Sequence, residues 1–386
     1  MYLQNQLAKF SSLKTPFYYY DMELLHKTLE IVKSESEKYG FMVHFAIKSN
    51  ADEKVLKTIA SYGLGADCVS GGEVKKAIEC GFKASEIAYA GVGKTDEEIA
   101  HSIESGIFSF NCESLEELEV INSIAKDLGK TARVALRLNP EVDPKTHAYI
   151  TTGKAENKFG ISFSEVDKFL EMLPSLTNLH ICGLHFHIGS QILQLDVFNQ
   201  LCARVATFVE WFEEKGIKIE SLNMGGGLGI DYNAPDANPI SQFAEYFKIF
   251  ADCMPYREGR TVHFELGRAV VGQCGTLVTR ALYNKTTASG RKFVIVDGSM
   301  TELLRPALYG AHHEIQNISS TSTEMVTYDV AGGVCESTDV FAKELSLPTT
   351  KRGDFVILRS AGAYGSSMAS NYNCRPIPAS VYSDEL

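Results

Sequence analysis

The chain has 386 residues, of which 45% are hydrophobic, and its formal net charge at pH 7 is −11. This length suffices for the cores of two domains, and the negative charge argues against a protein that binds nucleic acid. No apolar stretch approaches the roughly 18 residues that span a bilayer, and the first residues lack the apolar core of a signal peptide, so we expect no membrane partner.

The cysteines indicate a reducing compartment. There are nine, an odd number, scattered along the chain without a CxxC pair. This spacing favours neither a disulfide framework nor a zinc site. Reduced thiols in a cytoplasmic protein are the simplest interpretation.

Eight segments with strand patterns alternate with helical patterns through the first two thirds of the chain. They are residues 43–50, 64–70, 87–92, 107–113, 133–140, 181–189, 219–229 and 261–271. Helix signals between them include a capping box at Ser114 and Glu117 and stop signals at Gly106 and Gly129. The alternation predicts an α/β fold with a (β/α)8 barrel of the TIM type over residues 22–272. A doubly wound open sheet shows the same alternation, because counting strands does not prove closure.

The pattern of the sequence changes after the last of these segments. Strand-like stretches then follow one another without amphipathic helices, in "GTLVTRALYNKTT", "RKFVIVDGS", "EMVTYDVAG" and "DFVILRSAGAY". We therefore predict an all-β domain over residues 273–386. The early strand at 16–21 either leads into the barrel or joins this domain, and we assign residues 1–21 to the β domain.

Chemically useful side chains gather at the ends of the predicted barrel strands, where the functional groups of such barrels lie. Lys48 ends the first strand, although a lone lysine there is more often a surface residue. The three glycines at 225–227 could bind an anion through their backbone amides or form a plain tight turn. Glu265 and Arg268 end the eighth strand and could equally be a surface pair. His185 and His187 share a predicted strand face, but no carboxylate lies at ligand spacing, so we expect no metal.

Two further segments stand out. "VCESTDVF" places Cys335 beside Glu336, where the thiol is either a proton donor or a small buried residue. Residues 141–161 form a connection too long for a simple turn, and we predict a lid that becomes ordered when the site is occupied.

Together these motifs resemble one family. "FAIKSN", "HFHIGSQ", "GGGLGI", "ELGRAVV", "LLRPALYGAHHEI", "CESTDVF" and "SAGAYGSSMASNYN" follow the order found in the fold-type III pyridoxal 5′-phosphate decarboxylases. The resemblance runs from residue 16 to 376 and is strongest to the members that act on diaminopimelate, which also share the long 141–161 loop. It implies an alanine racemase-like barrel and β domain, pyridoxal 5′-phosphate as cofactor, and decarboxylation of meso-2,6-diaminopimelate to L-lysine and CO₂, the last step of lysine biosynthesis.

The resemblance also implies roles for the residues that match the cofactor site. Lys48 would hold the cofactor covalently, Glu265 would face its ring nitrogen, and His187 would stack on its ring. Positions around the phosphate match Ser190, Gly226, Gly227, Gly267, Arg268 and Tyr364.

The substrate site is implied in the same way. Substrate contacts match Arg268, Arg305, Tyr309, Glu336 and Tyr364, with the arginines and Tyr309 on the distal carboxylate and Glu336 on the distal ammonium. Cys335 would return a proton to the substrate carbon, from the other subunit of a homodimer with shared active sites. Three positions depart from the family pattern, namely Leu266 and Gly333 in place of proline and Thr338 in place of glycine.

Other functions remain as alternatives. A decarboxylase of ornithine, arginine or carboxynorspermidine is the nearest, but those substrates lack a distal carboxylate or present it differently, so Arg305 favours diaminopimelate. A racemase of this fold would carry arginine where Glu265 stands. A cofactor-binding regulator or a pseudoenzyme would be expected to lack the β domain, Lys48 or Cys335, all of which the sequence contains.

Overall fold

The structure is a computed structural model that describes residues 2–143 and 158–386. The strands in chain order are β1 Phe17–Tyr20, β2 Phe41–Ala46, β3 Gly65–Cys68, β4 Ile87–Tyr89, β5 Ser109–Cys112, β6 Ala132–Arg137, β7 Leu179–His185, β8 Ser221–Asn223, β9 Thr261–Leu266, β10 Gly275–Thr286, β11 Lys292–Val296, β12 Ile315–Asn317, β13 Met325–Ala331, β14 Val340–Pro348, β15 Phe355–Leu358 and β16 Ala379–Tyr382. The α-helices are α1 Leu7–Phe10, α2 Met22–Glu37, α3 Glu53–Ser61, α4 Gly71–Glu79, α5 Asp96–Ser105, α6 Leu115–Asp127, α7 Val166–Met172, α8 Val197–Glu214, α9 Phe243–Cys253, α10 Arg268–Val271 and α11 Arg305–Tyr309.

The chain divides into two compact units. The barrel unit comprises Thr28–Gly229 and Gln242–Gly267, and the β unit comprises Met1–Lys27, Ile230–Ser241 and Arg268–Leu386. Residues 230–241 lie inside the predicted barrel range of 22–272, yet they group with the β unit. No helix within the described ranges combines the length and the apolar character needed to cross a bilayer.

In the barrel unit the eight strands β2 to β9 are parallel and form a closed barrel. Closure comes from the pairing of β2 with β9, in which Phe41 lies opposite Val262 and Phe45 opposite Leu266. The predicted barrel is therefore confirmed and the open sheet is excluded. Because the barrel is closed and its strands are parallel, the carboxyl ends of all eight strands lie around one end of the barrel, where functional groups can meet.

Two helices of the barrel unit, α5 and α6, show the start and stop signals that the sequence predicts. Ser114 accepts a hydrogen bond from the backbone N–H of Glu117 and caps α6. The predicted capping box is only half formed, because the Glu117 carboxylate accepts from the N–H of Glu113 at 2.6 Å. Gly106 ends α5 in the left-handed conformation with φ +69°, as the sequence predicts, and Gly129 follows the α6 cap with φ +63°.

Several barrel strands are shorter than their apolar patterns. β2 ends at Ala46, and Lys48 lies on a 3₁₀ turn over Ile47–Ser49 rather than on the strand. β9 ends at Leu266 and the chain enters α10 at Arg268, so the predicted strand over 261–271 is wrong beyond its sixth residue. The apolar pattern continues beyond the last hydrogen bond between neighbouring strands, because the turns that follow β2 and β9 are largely buried.

In the β unit an eight-stranded sheet includes β10 to β15 together with β1 and β16. β1 pairs antiparallel with β10 and parallel with β16, so the early strand joins this unit. β12, β14 and β16 were not predicted. A core cluster of this unit collects aromatic and aliphatic side chains from both ends of the chain, namely Leu3, Phe10, Phe17, Tyr19, Val278, Ile318, Phe355 and Ile357.

Most of the predicted lid lies outside the described residues, which omit 144–157. The described end of this connection is tied to the barrel. The N–H of Ile161 donates to the carbonyl of Arg137 at 2.7 Å, and the N–H of Gly160 donates to the Glu113 carboxylate at 2.9 Å.

Candidate active site

Glu265 lies near the end of β9, and both oxygens of its buried carboxylate accept hydrogen bonds. Its Oε1 accepts from the side-chain amides of Asn111 at 3.0 Å and Asn223 at 2.7 Å, and its Oε2 accepts from His185 Nε2 at 3.0 Å. Burial alone would raise the pKa of Glu265, but His185, with help from Lys48, lowers the pKa on balance. The barrel therefore holds a fixed anion, and a surface pair with Arg268 is wrong because both residues are buried.

The two histidines predicted to share a strand face have separate surroundings. β7 ends at His185, which pairs with Glu265, whereas His187 lies beyond the strand and accepts the N–H of Gly226 on Nδ1 at 3.3 Å. Desolvation lowers the pKa of His187 well below its usual value, and the positive charges of Lys48 and Arg137 lower it further. His187 is therefore a neutral ring that carries its proton on Nε2. No group of three or more potential metal ligands occurs among the described residues.

Lys48 projects beside a buried acid, Asp67. Its Nζ lies 3.2 Å from Oδ2 of Asp67, and the side chains of Lys48 and Asp67 are 38% and 0% exposed. Burial and the nearby Glu265 raise the pKa of Asp67, and Lys48 opposes this shift. Asp67 Oδ1 has no hydrogen-bond partner among the described residues. A simple surface lysine does not have such a buried partner.

The glycines after β8 are required by their backbone geometry. Gly225 and Gly227 have φ of +69° and +110°, where side chains with a Cβ are strained. A Cβ on Gly226 would lie 1.9 Å from the carbonyl oxygen of Glu265. The half-buried Gly227 makes no hydrogen bond through its amide to any described residue. The turn thus brings backbone close to the Glu265 strand end and offers an amide donor for an anion.

Gly267, at the end of the next strand, is equally crowded, since a Cβ there would lie 2.9 Å from Ser49 Oγ. Ser190 lies half-buried in the loop after β7. The barrel unit by itself therefore gathers a primary amine, a fixed anion, a neutral ring and a tight glycine turn. This donor set fits pyridoxal 5′-phosphate, which combines an aldehyde, a basic ring nitrogen and a phosphate.

Arginine side chains and tyrosines form a second cluster, within the β unit. Arg268 is buried and donates from Nη1 to the hydroxyl of Tyr232 at 2.7 Å, and its guanidinium lies 4.9 Å from the Tyr364 ring centre. Arg305 lies 4.8 Å from the ring centre of the same Tyr232. Tyr309 ends the short helix that begins with Arg305 and is half-buried.

The partner of Arg305 is neutral. His313 donates from Nδ1 to the carbonyl of Arg359 at 2.8 Å, so its Nε2 is an acceptor and receives Arg305 Nη1 at 2.8 Å. Burial lowers the pKa of His313 to about 3 and keeps the ring uncharged. No described Asp or Glu forms an ion pair with Arg305. Arg305 thus carries a buried positive charge that an anionic ligand group would neutralise.

Cys335 and Glu336 lie between β13 and β14 and are both exposed, so a small buried cysteine is wrong. The Glu336 carboxylate accepts the hydroxyl of Tyr372 at 2.7 Å. Of the three departures, Leu266 is a core residue, Gly333 has open space around its Cα, and Thr338 lies 3.9 Å from the sulfur of Met300.

Sequence reasoning missed several supporting residues. Asn111 and Asn223 lie on the buried strands β5 and β8, and amide side chains within predicted barrel strands were an available signal for an interior partner. Tyr232 follows β8 in a stretch without a recognisable pattern, and only the structure brings it between two arginines. The roles proposed for the matched residues stay predictions. The structure places these residues in the barrel site, in the arginine–tyrosine cluster of the β unit and, for Cys335 and Glu336, on an exposed loop.

Known proteins share both the sequence and the fold. Residues 25–272 match the family described as pyridoxal-dependent decarboxylase, pyridoxal binding domain. The chain is 52% identical over 382 residues to the diaminopimelate decarboxylase of Bacteroides thetaiotaomicron, with 98% of each chain covered. The crystal structure of diaminopimelate decarboxylase from Helicobacter pylori complexed with L-lysine is similar with a TM-score of 0.91 at 36% identity, covering 98% of this chain and 94% of that chain.

A more distant structure shares the fold alone. The arginine decarboxylase of Paramecium bursaria Chlorella virus, bound to agmatine, has a TM-score of 0.86 at 22% identity, with 99% of each chain covered. Fold similarity alone does not identify the family, whereas 52% identity over 382 residues does. The chain belongs to the diaminopimelate decarboxylase family of pyridoxal-dependent decarboxylases.

Proposed function

We propose that this chain uses pyridoxal 5′-phosphate to decarboxylate meso-2,6-diaminopimelate, giving L-lysine and CO₂. The observation that carries the proposal is the Glu265 site, a buried carboxylate kept ionised by His185 and lying near Lys48. When bound, the cofactor supplies a ring that accepts the electron pair left behind by CO₂, and a protonated ring nitrogen makes it a better acceptor. Glu265 would supply a fixed anion for that nitrogen and so favour its protonation.

The other barrel residues hold and orient the cofactor. Lys48 would hold the cofactor through Nζ, bonded to its aldehyde carbon, and the neutral ring of His187 would pack against it without adding charge. Its phosphate would be held by Ser190, Gly226, Gly227 and Gly267 of the barrel unit, and the family match adds Arg268 and Tyr364 of the β unit.

The β unit supplies substrate recognition. Arg268, Arg305 and Tyr309, with Tyr364 beside Arg268, bind the distal carboxylate, because buried guanidinium groups gain most from a charged partner. Glu336 binds the distal ammonium. Cys335 donates the Sγ proton to the carbon that has lost CO₂. Ornithine and arginine carry no distal carboxylate and would leave Arg305 without an anion.

A substrate panel tests the proposal. We expect CO₂ release from meso-diaminopimelate with kcat/KM exceeding that for ornithine or arginine by about 10³-fold or more, since a site that binds a polar group discriminates strongly against analogues without it. Carboxynorspermidine serves as the third competitor. Comparable turnover of any of these would mean that the substrate is another basic amine. A substrate-dependent change in cofactor absorbance without CO₂ release would indicate a binding protein.

We further propose that the active enzyme is a homodimer in which Cys335 and Glu336 serve the cofactor held by the other subunit. What supports this is that both side chains are exposed on the β unit, available to a second chain. A cytoplasmic location remains a prediction from the cysteines, none of which forms a disulfide.

Mixing two inactive variants tests the shared site. Lys48→Ala and Cys335→Ala should each be inactive alone, and equimolar subunit exchange should restore about a quarter of wild-type activity, because half of the dimers are mixed and have one intact site. Gel filtration checks that mixing leaves the dimer intact. Mixtures as inactive as either parent would show that each subunit contains its own complete site.

A further inference from the structure

The loop that carries Cys335 and Glu336 is built around one buried carboxylate. Asp339 accepts the backbone N–H of Val334 at 3.0 Å and that of Met300 at 2.6 Å. Its own backbone closes the loop, with its N–H bound to the carbonyl of Glu336 at 3.0 Å. A Cβ on Gly332 would lie 2.3 Å from Asp339 Oδ2, so this loop also requires glycine at its start.

A second loop, residues 370–375, is fixed to the same short segment, residues 297–302. The N–H of Ser370 donates to the carbonyl of Thr301 at 2.9 Å. Arg375 donates from Nε to Glu302 Oε1 at 3.1 Å and from Nη2 to the carbonyl of Asp297. Residues 297–302 therefore anchor both ends of the 370–375 loop, and through Met300 they also anchor the loop of Glu336.

Backbone strain marks the tip of this second loop. Asn373 and Cys374 have φ of +55° and +58°, two consecutive left-handed residues neither of which is glycine. Such conformations persist where surrounding contacts impose them and are concentrated at functional sites. Here they follow Tyr372, a residue that is 47% exposed and so contributes little to a core.

The exposed side chain of Tyr372 has a defined polar contact. Its hydroxyl donates to Oε1 of Glu336 at 2.7 Å, across the two anchored loops. This hydrogen bond and the negative charge of Glu336 raise the pKa of the Tyr372 phenol, so the hydroxyl remains protonated and continues to donate. Since the donor is held by a strained and doubly anchored loop, it restricts the direction in which the Glu336 carboxylate points.

We infer that Tyr372 is a positioning residue for substrate specificity, which orients the Glu336 carboxylate toward the distal ammonium of the substrate. The inference rests on the proposed function of Glu336 and adds a residue to which no role has been assigned. The phenol of Tyr372 occupies one oxygen of the Glu336 carboxylate. The other oxygen is left to accept a hydrogen bond from one ammonium group of the substrate. The energetic contribution would lie in binding, because Tyr372 acts through Glu336 and touches no reacting atom.

A double-mutant cycle on the holoenzyme tests this. Tyr372→Phe should lower kcat/KM for meso-diaminopimelate by about 3- to 10-fold, the scale of one hydrogen bond, mainly through a higher KM. In a Glu336→Ala background the same change should have no further effect, because no carboxylate remains to be oriented. Tyr283→Phe is the matched control, another exposed tyrosine of the β unit, and should leave kcat and KM unchanged.

The outcomes separate the two proposals. If Glu336→Ala leaves kcat/KM unchanged, the role of Glu336 in the proposed function fails, and the inference fails with it. If Glu336→Ala impairs the enzyme and Tyr372→Phe has the same effect in both backgrounds, the role of Glu336 stands and the inference is overturned. A normal KM for Tyr372→Phe in the wild-type background would likewise overturn it.

Discussion

Replacing Lys48 with alanine should abolish covalent retention of the cofactor and lower turnover by at least about 10³-fold, the scale lost when a covalent catalytic residue is removed. The structure places Lys48 on a 3₁₀ turn, with its amine 3.2 Å from the buried carboxylate of Asp67. Intact-mass measurement after borohydride reduction is the direct readout, since the wild-type chain should gain the mass of the cofactor and the variant should not.

The fold should survive this change. Lys48 opposes the upward pKa shift of Asp67, so removing the lysine raises the pKa of the Asp67 carboxyl further and favours its neutral form. Protonation of Asp67 leaves no unpaired charge buried in the barrel of the variant, so the fold is not destabilised by one. Lys57→Ala is the matched control, because Lys57 is an exposed lysine paired with Glu53 on the following helix. Cofactor still covalently linked in the Lys48 variant would refute the assignment.

Replacing Glu265 with glutamine should lower turnover by about 10²-fold or more while cofactor binding stays largely intact, since one preorganised electrostatic interaction is lost. Glutamine retains an oxygen that can accept from Asn111 and Asn223. Its amide can donate to His185 once that ring moves its proton to Nδ1, an atom that has no partner among the described residues. The substitution therefore removes the charge and keeps the packing.

Kinetics and cofactor titration should be measured on the same preparation, so that a fall in kcat is separated from a loss of cofactor. A second glutamate–histidine pair in the barrel unit provides the control. His180 and Glu220 are 3.1 Å apart with side chains 42% and 35% exposed, and Glu220→Gln should leave kcat unchanged. Near-normal turnover of the Glu265 variant would mean that this carboxylate is not the partner of the ring nitrogen.

Part of this protein could be predicted from local sequence. Alternating apolar runs, first-turn caps such as Ser114 and stop signals such as Gly106 are local features, and they predicted the barrel strands and helices. Ordered motifs indicated the family and its cofactor. Strand ends were less predictable, because buried turns such as that of Lys48 keep the apolar character of the strands that they follow.

Closure of the barrel depended on the pairing of β2 with β9, which are separated by more than two hundred residues, and no local pattern encodes a pairing at that distance. The same holds for the partners of the charged groups. Glu265 is an ionised anion because His185, Asn111 and Asn223 arrive from three other strands, and Arg305 faces neutral His313 within the β unit. The sequence by itself determined which residue types lie at each strand end. Their protonation and orientation were decided by the tertiary structure, because both depend on burial and on donors brought from distant parts of the chain.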